Sequence, residues 1–335
     1  MQETSDRLLA WLHRRLNAGV AYESPLTRLT GGFDTVTAAF RLRGGPAELA
    51  RDLILRILPS SAPAVRLRRE VATHEALVEA RFPAPRVFLF EEDPAPLGSP
   101  FLIMERLAGD NMWASAVGPR GRKSSLLSLS RRLAEAHALV HRVDGAGLKA
   151  AALRHGVDPG LLTLAGEVGR LRTRIEKARL DGLIPGIEWL ERNMPAPAEA
   201  EVICHGDFHP LNLMVDGEKL TGVIDWPQAI VAEPAYDVAS TFVLLRFADT
   251  GLTGAVRKLF VLLRPIPVRR YLNFYRRLRP FRDVNMPYHE SVRVLSALTY
   301  AGEYPPGPRN PWRKPHTLAA LYGHFGRISG VTVRV

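Results

Sequence analysis

The sequence predicts an α+β protein in which a small β-rich part is followed by a larger helical part. Strand-like segments with one internal helix extend as far as Glu105, and long helical segments dominate after Gly109. One isolated β-hairpin interrupts the helical part. A chain of 335 residues can bury two hydrophobic cores. Because the pattern changes near residue 108, we place the boundary between residues 1–107 and 108–335.

The β-rich part begins with a predicted helix at residues 5–17, in which leucines recur on one side. A second helix, at 65–81, ends before the prolines at 83 and 85. Short apolar runs between turn-forming residues predict the strands of this part, which are 35–42, 53–58, 86–90 and 101–105.

In the helical part, the clearest predicted helices are 124–143 and 159–180. The hairpin has strands at 211–215 and 219–224, which flank the strong turn signal Asp216-Gly217. Asn212 and Asp225 begin and end the hairpin, so we expect both at its open end.

The single cysteine, Cys204, excludes an intrachain disulfide framework and is typical of proteins in a reducing cytoplasm. Its position at the end of an apolar run predicts a small buried side chain rather than a nucleophile. The sequence has no apolar run of about 18 residues, so we expect no membrane-spanning helix.

The net charge of +11 is unevenly distributed along the chain. Residues 246–335 hold 16 Lys and Arg but only 4 Asp and Glu. Such a surface could face nucleic acid, an anionic membrane or a negatively charged substrate, and it could equally be an ordinary solvated surface. It is a poor electrostatic match for a polycationic ligand.

The residues that indicate chemistry lie at the ends of strands, in His205-Gly206-Asp207 with Asn212, and in Ile224-Asp225-Trp226. Phosphoryl transfer needs oxygen ligands that hold Mg²⁺ on the phosphates and a carboxylate that orients the acceptor hydroxyl. Asn212 and Asp225 are candidate Mg²⁺ ligands, and Asp207 is the candidate base.

A transition-metal site is an alternative interpretation of the same segment. His205-x-Asp207-x-His209 contains ligand types of a non-haem iron site, and the local spacing alone leaves this alternative open.

The β-rich part supports the phosphate interpretation. Alternation along strand 53–58 places Arg56 on one face with apolar neighbours, and the helical period turns Glu70 inward on the following helix. An inward cation and an inward carboxylate both need partners, so we predict that Arg56 pairs with Glu70. In isolation this is an internal salt bridge, but beside the acidic residues it suggests a clamp for nucleotide phosphates.

Together these residues resemble the aminoglycoside phosphotransferase and choline kinase family over residues 25–245. The resemblance implies a two-lobed protein-kinase-like fold, with a β-rich N-lobe and an α-helical C-lobe. It also implies that Asp207 is the catalytic base, that Asn212 and Asp225 bind Mg²⁺, and that His205 and Asp237 support the site structurally.

The resemblance assigns nucleotide binding to the N-lobe. The segment that includes Gly31, Gly32 and Phe33 resembles the nucleotide-covering loop. Met104-Glu105-Arg106-Leu107 resembles the hinge, with Glu105 and Leu107 beside the nucleotide base. Glu70 matches the helix glutamate of the family, whereas Arg56 occupies the position of its phosphate-contacting lysine, and the two side chains are not interchangeable.

The leading hypothesis is therefore an Mg²⁺-dependent kinase that transfers phosphate from ATP or GTP to a hydroxyl of a small molecule, such as a macrolide antibiotic or a hydroxylated metabolite. For this enzyme we expect no nucleic-acid partner. The alternative is a non-catalytic nucleotide-binding regulator whose basic C-terminal surface contacts nucleic acid or another anionic partner.

Overall fold

The structure is a computed structural model that describes residues 1–29, 35–117, 123–305 and 310–335, without the side chains of 123–127 and 256. The chain forms two compact units. The first contains residues 1–110, 150–157 and 214–227, and the second contains 111–149, 158–213 and 228–335. No helix within the described ranges is both long and apolar enough to cross a membrane.

A five-stranded antiparallel sheet of order β1-β2-β3-β5-β4 dominates the first unit. Its strands and the two helices packed on it are, in chain order, α1 (Gln2–Leu16), β1 (Ala21–Arg28), β2 (Val36–Arg43), β3 (Asp52–Ile57), α2 (Ala64–Glu79), β4 (Val87–Glu91) and β5 (Phe101–Glu105).

The central strand β3 separates two apolar clusters. Leu53 and Leu55 face the cluster that contains α1, whereas Ile54 and Leu58 belong to the cluster that contains α2. This confirms the predicted alternation, which places Arg56 on the α2 side of the sheet. The edge strand β1 was not predicted, because it is largely exposed and contains Pro25, a residue confined to sheet edges and bulges.

The remaining elements are mainly helical. They are β6 (Asp110–Asn111), α3 (Met112–Val117), α4 (Lys123–Val140), α5 (Gly145–Arg154), α6 (Leu164–Lys177), α7 (Ile184–Arg192), β7 (Val202–Cys204), β8 (Leu213–Asp216), β9 (Lys219–Val223), β10 (Ile230–Ala232), α8 (Pro234–Phe247), α9 (Gly254–Leu263), α10 (Pro265–Leu278), α11 (Met286–Glu303) and α12 (Pro315–Ser329).

The predicted helix at 159–180 is divided in two. A 3-10 turn at Pro159–Leu162 precedes α6, which begins after Thr163. The Thr163 hydroxyl accepts a hydrogen bond from the Gly166 amide at 3.1 Å, so it caps α6 and separates it from the turn.

The predicted hairpin is present as β8 and β9, but its turn lies one residue later than expected. Gly217 and Glu218 form the turn, and Gly217 has a positive φ of 60°. Antiparallel pairing of β7 with β10 in the second unit places Cys204 opposite Ile230. Because β7 ends at Cys204 and β8 begins at Leu213, the segment 205–212 forms the loop between them.

Candidate active site

The loop 205–212 takes its shape from a glycine. Gly206 has a φ of 79°, and a Cβ at this position would lie 2.7 Å from the carbonyl oxygen of Gln228. Only glycine tolerates both the left-handed backbone and this close approach. The sequence His205-Gly206-Asp207 therefore sets the direction in which the Asp207 side chain leaves the loop.

Asp237, near the start of α8, binds the backbone of the same loop. Its carboxylate accepts hydrogen bonds from the backbone amides of His205 at 2.6 Å and of Gly206 at 2.8 Å. The side chain is fully buried. These contacts agree with a supporting function for Asp237.

The two carboxylate oxygens of Asp207 make different contacts. Oδ1 accepts a hydrogen bond from Nη2 of Arg293 at 2.7 Å, and Oδ2 lies 3.4 Å from Nε2 of His209. Burial alone raises the pKa of Asp207, but interactions with His209 and Arg293 outweigh it and hold the pKa below its usual value. The carboxylate is thus ionised, and 20% of the side chain remains exposed.

Asn212 lies at the other end of the loop. Its side-chain nitrogen donates to the carbonyl oxygen of Asp207 at 3.0 Å. The amide oxygen accepts no hydrogen bond from any residue that the structure describes, so it is the atom left for a ligand. An oxygen donor of this kind suits a hard cation such as Mg²⁺.

The contacts of His205 argue against the iron interpretation. Nδ1 of this buried histidine accepts a hydrogen bond from the Asp207 backbone amide at 3.2 Å, so the imidazole stabilises the backbone of the loop. In the described part of the chain, the His and carboxylate side chains that converge closely enough for a metal ion are His137, His141 and Asp237, which do not include the loop residues.

His137 and His141 form a buried network with Asp237. Both Nε2 atoms lie close to Asp237 Oδ2, at 3.1 and 3.2 Å, while the hydroxyl groups of Tyr271 and Tyr275 on α10 lie 2.6 and 2.5 Å from the two Nδ1 atoms. The network therefore connects α4 and α10 to the loop through one carboxylate. Burial lowers the pKa of His137 to about 4, so this imidazole is neutral near pH 7.

Acidification should weaken the fold through this network. Because the pKa of His137 is about 4 in the folded protein and about 6.5 when unfolded, the unfolded chain binds the proton more readily. The contribution of His137 to the free energy of unfolding is then fully present above the unfolded pKa, and about 3 kcal/mol of it is lost as the pH falls from 6.5 to 4. Urea unfolding across this range should show the loss, and His137→Gln should have a flatter profile. An unchanged profile in that variant would contradict the assignment.

The first unit contains a second cluster of charged residues. Nε of Arg56 lies 3.0 Å from Glu70 Oε1, and Nη2 donates to Asp225 Oδ1 at 2.9 Å. The predicted pairing of Arg56 with Glu70 is confirmed, and the additional contact with Asp225 was not anticipated. Glu70 is 1% exposed, whereas 38% of the Asp225 side chain is accessible.

Asp225 has a strained backbone, with a φ of 69°. Non-glycine residues in this region cost energy and are retained where the surrounding structure enforces them. The following Trp226 is buried, and its indole nitrogen donates to the carbonyl oxygen of Val223 at 2.8 Å. Asp225 therefore presents its carboxylate from a rigid turn, and its Oδ2 is a hard oxygen of a kind that suits Mg²⁺.

The other predicted nucleotide residues are only partly described. Gly31, Gly32 and Phe33 lie outside the described residues. Glu105 ends β5, where its backbone amide donates to Arg86 at 2.8 Å and its side chain lies 3.5 Å from Arg51. Leu107 follows two residues later, and contact of this segment with a nucleotide base stays a prediction.

Sequence reasoning missed three side chains that the tertiary structure brings to the loop or its support. His137 and His141 are four residues apart on a predicted helix, a spacing that places both on one face and could have identified them. Arg293 lies 86 residues beyond Asp207 and has no local signal.

Comparison with known proteins gives a consistent result. The model of the phosphotransferase enzyme family matches residues 25–281. Acyl-CoA dehydrogenase family member 11 of Pongo abelii is 25% identical over 251 residues, which cover 70% of this chain and 30% of that protein. The chain thus corresponds to about a third of the length of this curated relative.

Two solved structures share the fold. A candidate aminoglycoside phosphotransferase from Ralstonia eutropha JMP134 has a TM-score of 0.58 at 18% identity, covering 97% of this chain and 94% of the other. A thermostable mutant of another aminoglycoside phosphotransferase, in a ternary complex with ADP and hygromycin B, has a TM-score of 0.57 at 15% identity, covering 96% and 98%. Because the family model matches well over half of the chain, the protein belongs to the phosphotransferase enzyme family, and it has a protein-kinase-like fold.

Proposed function

We propose that the protein transfers the γ-phosphate of ATP or GTP to a hydroxyl group of a small molecule, with Asp207 as the base. The observation that carries the proposal is the state of the Asp207 carboxylate. It is ionised, held at Oδ1 by Arg293, and only loosely contacted at Oδ2. A carboxylate in this state can orient a hydroxyl and accept its proton.

Each residue has a distinct task in this reaction. The acceptor oxygen forms a bond to the γ-phosphorus as the bond from that phosphorus to the β–γ bridging oxygen breaks. The hydroxyl proton passes to Asp207 Oδ2, and the electron pair leaves with the nucleoside diphosphate. Asn212 and Asp225 would supply oxygen ligands for Mg²⁺, which would neutralise phosphate charge when bound. Arg56, oriented by Glu70, contributes a permanent cation for the phosphates.

The charges of the second unit favour an acceptor that is not a polycation. The four acidic residues beyond position 245 each lie within ion-pair distance of a basic side chain. These pairs are Asp249–His316 at 3.3 Å, Asp283–Arg276 at 3.3 Å, Glu290–His324 at 2.7 Å and Glu303–Arg174 at 2.6 Å. They leave little carboxylate in this region to bind an aminoglycoside, even though fold relatives are named for these drugs.

Neutral or anionic acceptors agree better with this balance. A macrolide antibiotic is one candidate, in which case the protein would act in drug resistance, and a hydroxylated metabolite is another. The curated relatives are named for acyl-CoA, so an acyl-CoA thioester that carries a hydroxyl group is a further candidate, and its phosphates would suit a basic surface. We place this activity in the cytoplasm, where nucleotide and reduced Cys204 coexist.

A transfer screen tests the proposal. The protein is incubated with Mg²⁺ and γ-labelled ATP or GTP, together with macrolides, aminoglycosides, hydroxylated metabolites and hydroxyacyl-CoA thioesters. We expect label on a neutral or anionic acceptor, dependent on Mg²⁺ and absent after chelation. Preferential labelling of aminoglycosides would overturn the acceptor class, and no labelling of any acceptor would overturn the proposed activity.

The regulator hypothesis rests on the uneven charge, and the same screen tests it when combined with a nucleic-acid binding assay. A regulator would bind nucleotide without transferring phosphate, and would bind nucleic acid with an affinity that falls steeply as salt rises. Transfer to a small molecule together with weak nucleic-acid binding would exclude it.

A further inference from the structure

Arg293 is a buried cation in an apolar part of the second unit. It lies on α11 between the buried residues Val292 and Val294, and only 8% of it is exposed. Burying a guanidinium is unfavourable unless its donors find partners in a suitable geometry.

The contacts of Arg293 converge on the loop that carries Asp207. Nη2 donates to Asp207 Oδ1 at 2.7 Å, and Nη1 donates to the side-chain oxygen of Gln228 at 3.0 Å. The guanidinium carbon lies 5.8 Å from the ring centre of Trp312. Nε is buried and has no acceptor among the described residues. Arg293 thus bonds Asp207 while its own Nε donor stays unsatisfied, which is unfavourable for stability. This is expected of a residue that is retained for a function as well as for stability.

We infer that Arg293 is a positioning residue for phosphate transfer, which holds Oδ1 of Asp207 so that Oδ2 is presented to the acceptor hydroxyl. The inference rests on the proposed function of Asp207. Without Arg293, rotation about the side-chain bonds of Asp207 would be opposed mainly by the longer contact with His209 at 3.4 Å. A base that samples several rotamers spends less time in the reactive geometry.

The geometry explains why the residue is an arginine. A planar guanidinium bonds two acceptors at once at a set angle, whereas a lysine ammonium is a point charge on a flexible stem. Gln228 completes the arrangement, because its backbone oxygen packs against Gly206 and its side chain receives Nη1. Arg293 therefore connects α11 to both the loop and the segment behind it.

Substitutions at Arg293 should separate rate from binding. We expect Arg293→Met to lower kcat by about 10²-fold, a loss typical of a small displacement of a catalytic group, with KM for acceptor and nucleotide affinity little changed. Arg293→Lys and Gln228→Leu should lose less, and they provide the test if Arg293→Met does not fold. Arg327→Met, on the exposed face of α12, is the matched control and should retain wild-type rates.

Two further readouts distinguish positioning from general structural support. In the Asp207→Asn background, Arg293→Met should lower the residual rate no further, because the two residues act as one unit. Millimolar guanidinium should restore part of the kcat of Arg293→Met, and methylammonium should not. Equal losses in both backgrounds, or a kcat of Arg293→Met equal to that of wild type, would overturn the inference.

Crystal structures of the wild type and of Arg293→Met provide a readout that needs no activity. We expect a single Asp207 rotamer in the wild type and several in the variant, and a single unchanged rotamer in both would contradict the inference. If the wild type transfers phosphate to no acceptor, the proposed function fails while the rotamer result still tests the contact. If the wild type is active and Arg293→Met is equally active, only the inference fails.

Discussion

Replacing Asp207 with asparagine is expected to lower phosphate transfer by about 10²- to 10⁴-fold, the usual contribution of a general base. Asparagine has nearly the same shape and keeps an oxygen that can accept from Arg293, which now bonds Oδ1 at 2.7 Å. It cannot take a proton from the acceptor. The fold of the loop and the affinity for nucleotide should therefore remain close to those of the wild type.

Single-turnover transfer and calorimetric nucleotide binding measure the two quantities separately. Asp283→Asn is the matched control, because Asp283 is an exposed aspartate of the same unit, 3.3 Å from Arg276. It should transfer phosphate at the wild-type rate. Wild-type turnover by Asp207→Asn would remove Asp207 from the role of base and leave the family fold without an assigned catalytic residue.

The largest effect on stability is expected for Arg56→Met. This change removes the cation that lies 3.0 Å from the carboxylate of Glu70, a side chain that is 1% exposed. Breaking a buried ion pair by removing one partner typically costs about 3–5 kcal/mol in unfolding free energy, because the remaining charge stays desolvated. The loss of the contact with Asp225 adds little, since 38% of that side chain reaches water.

A double-mutant cycle tests this interpretation by urea unfolding. Arg56→Met combined with Glu70→Leu should recover most of the lost stability, because both charges are then replaced by apolar groups. Arg51→Met provides the control, since its pair with Glu105 is exposed, and it should cost less than about 1 kcal/mol. If the double variant is no more stable than Arg56→Met, the pair is not the source of the loss.

Arg56→Lys addresses the departure from the family pattern. The arginine reaches carboxylates of two separate segments at once, Glu70 on α2 and Asp225 after β9. A lysine offers a single ammonium on a flexible stem, so it should keep one of these contacts better than the other. The variant should therefore be more stable than Arg56→Met, and its nucleotide affinity reports whether the guanidinium fork itself contributes to binding.

Regular local patterns made much of the fold predictable. Alternation along residues 53–58 identified β3 and its two faces, and the helical period of residues 65–81 predicted that Glu70 faces inward. These predictions succeeded because the residues concerned are buried on one side, where hydrophobic periodicity reflects the core directly. The edge strand β1 and the break before α6 were missed, because edge exposure and a local threonine cap override the periodic signal.

By itself the sequence determined the identity of the chemical groups and their local order. The segment from His205 to Asn212, the strand that carries Arg56 and the helix that carries Glu70 are each specified by neighbours within a few residues. Tertiary structure alone decided which distant side chains support these groups. Arg293 bonds Asp207, His137 and His141 contact Asp237, and Arg56 pairs with Asp225. The reason is physical: hydrogen bonds and ion pairs between distant segments depend on where packing places the helices, and periodicity within a segment carries no information about them.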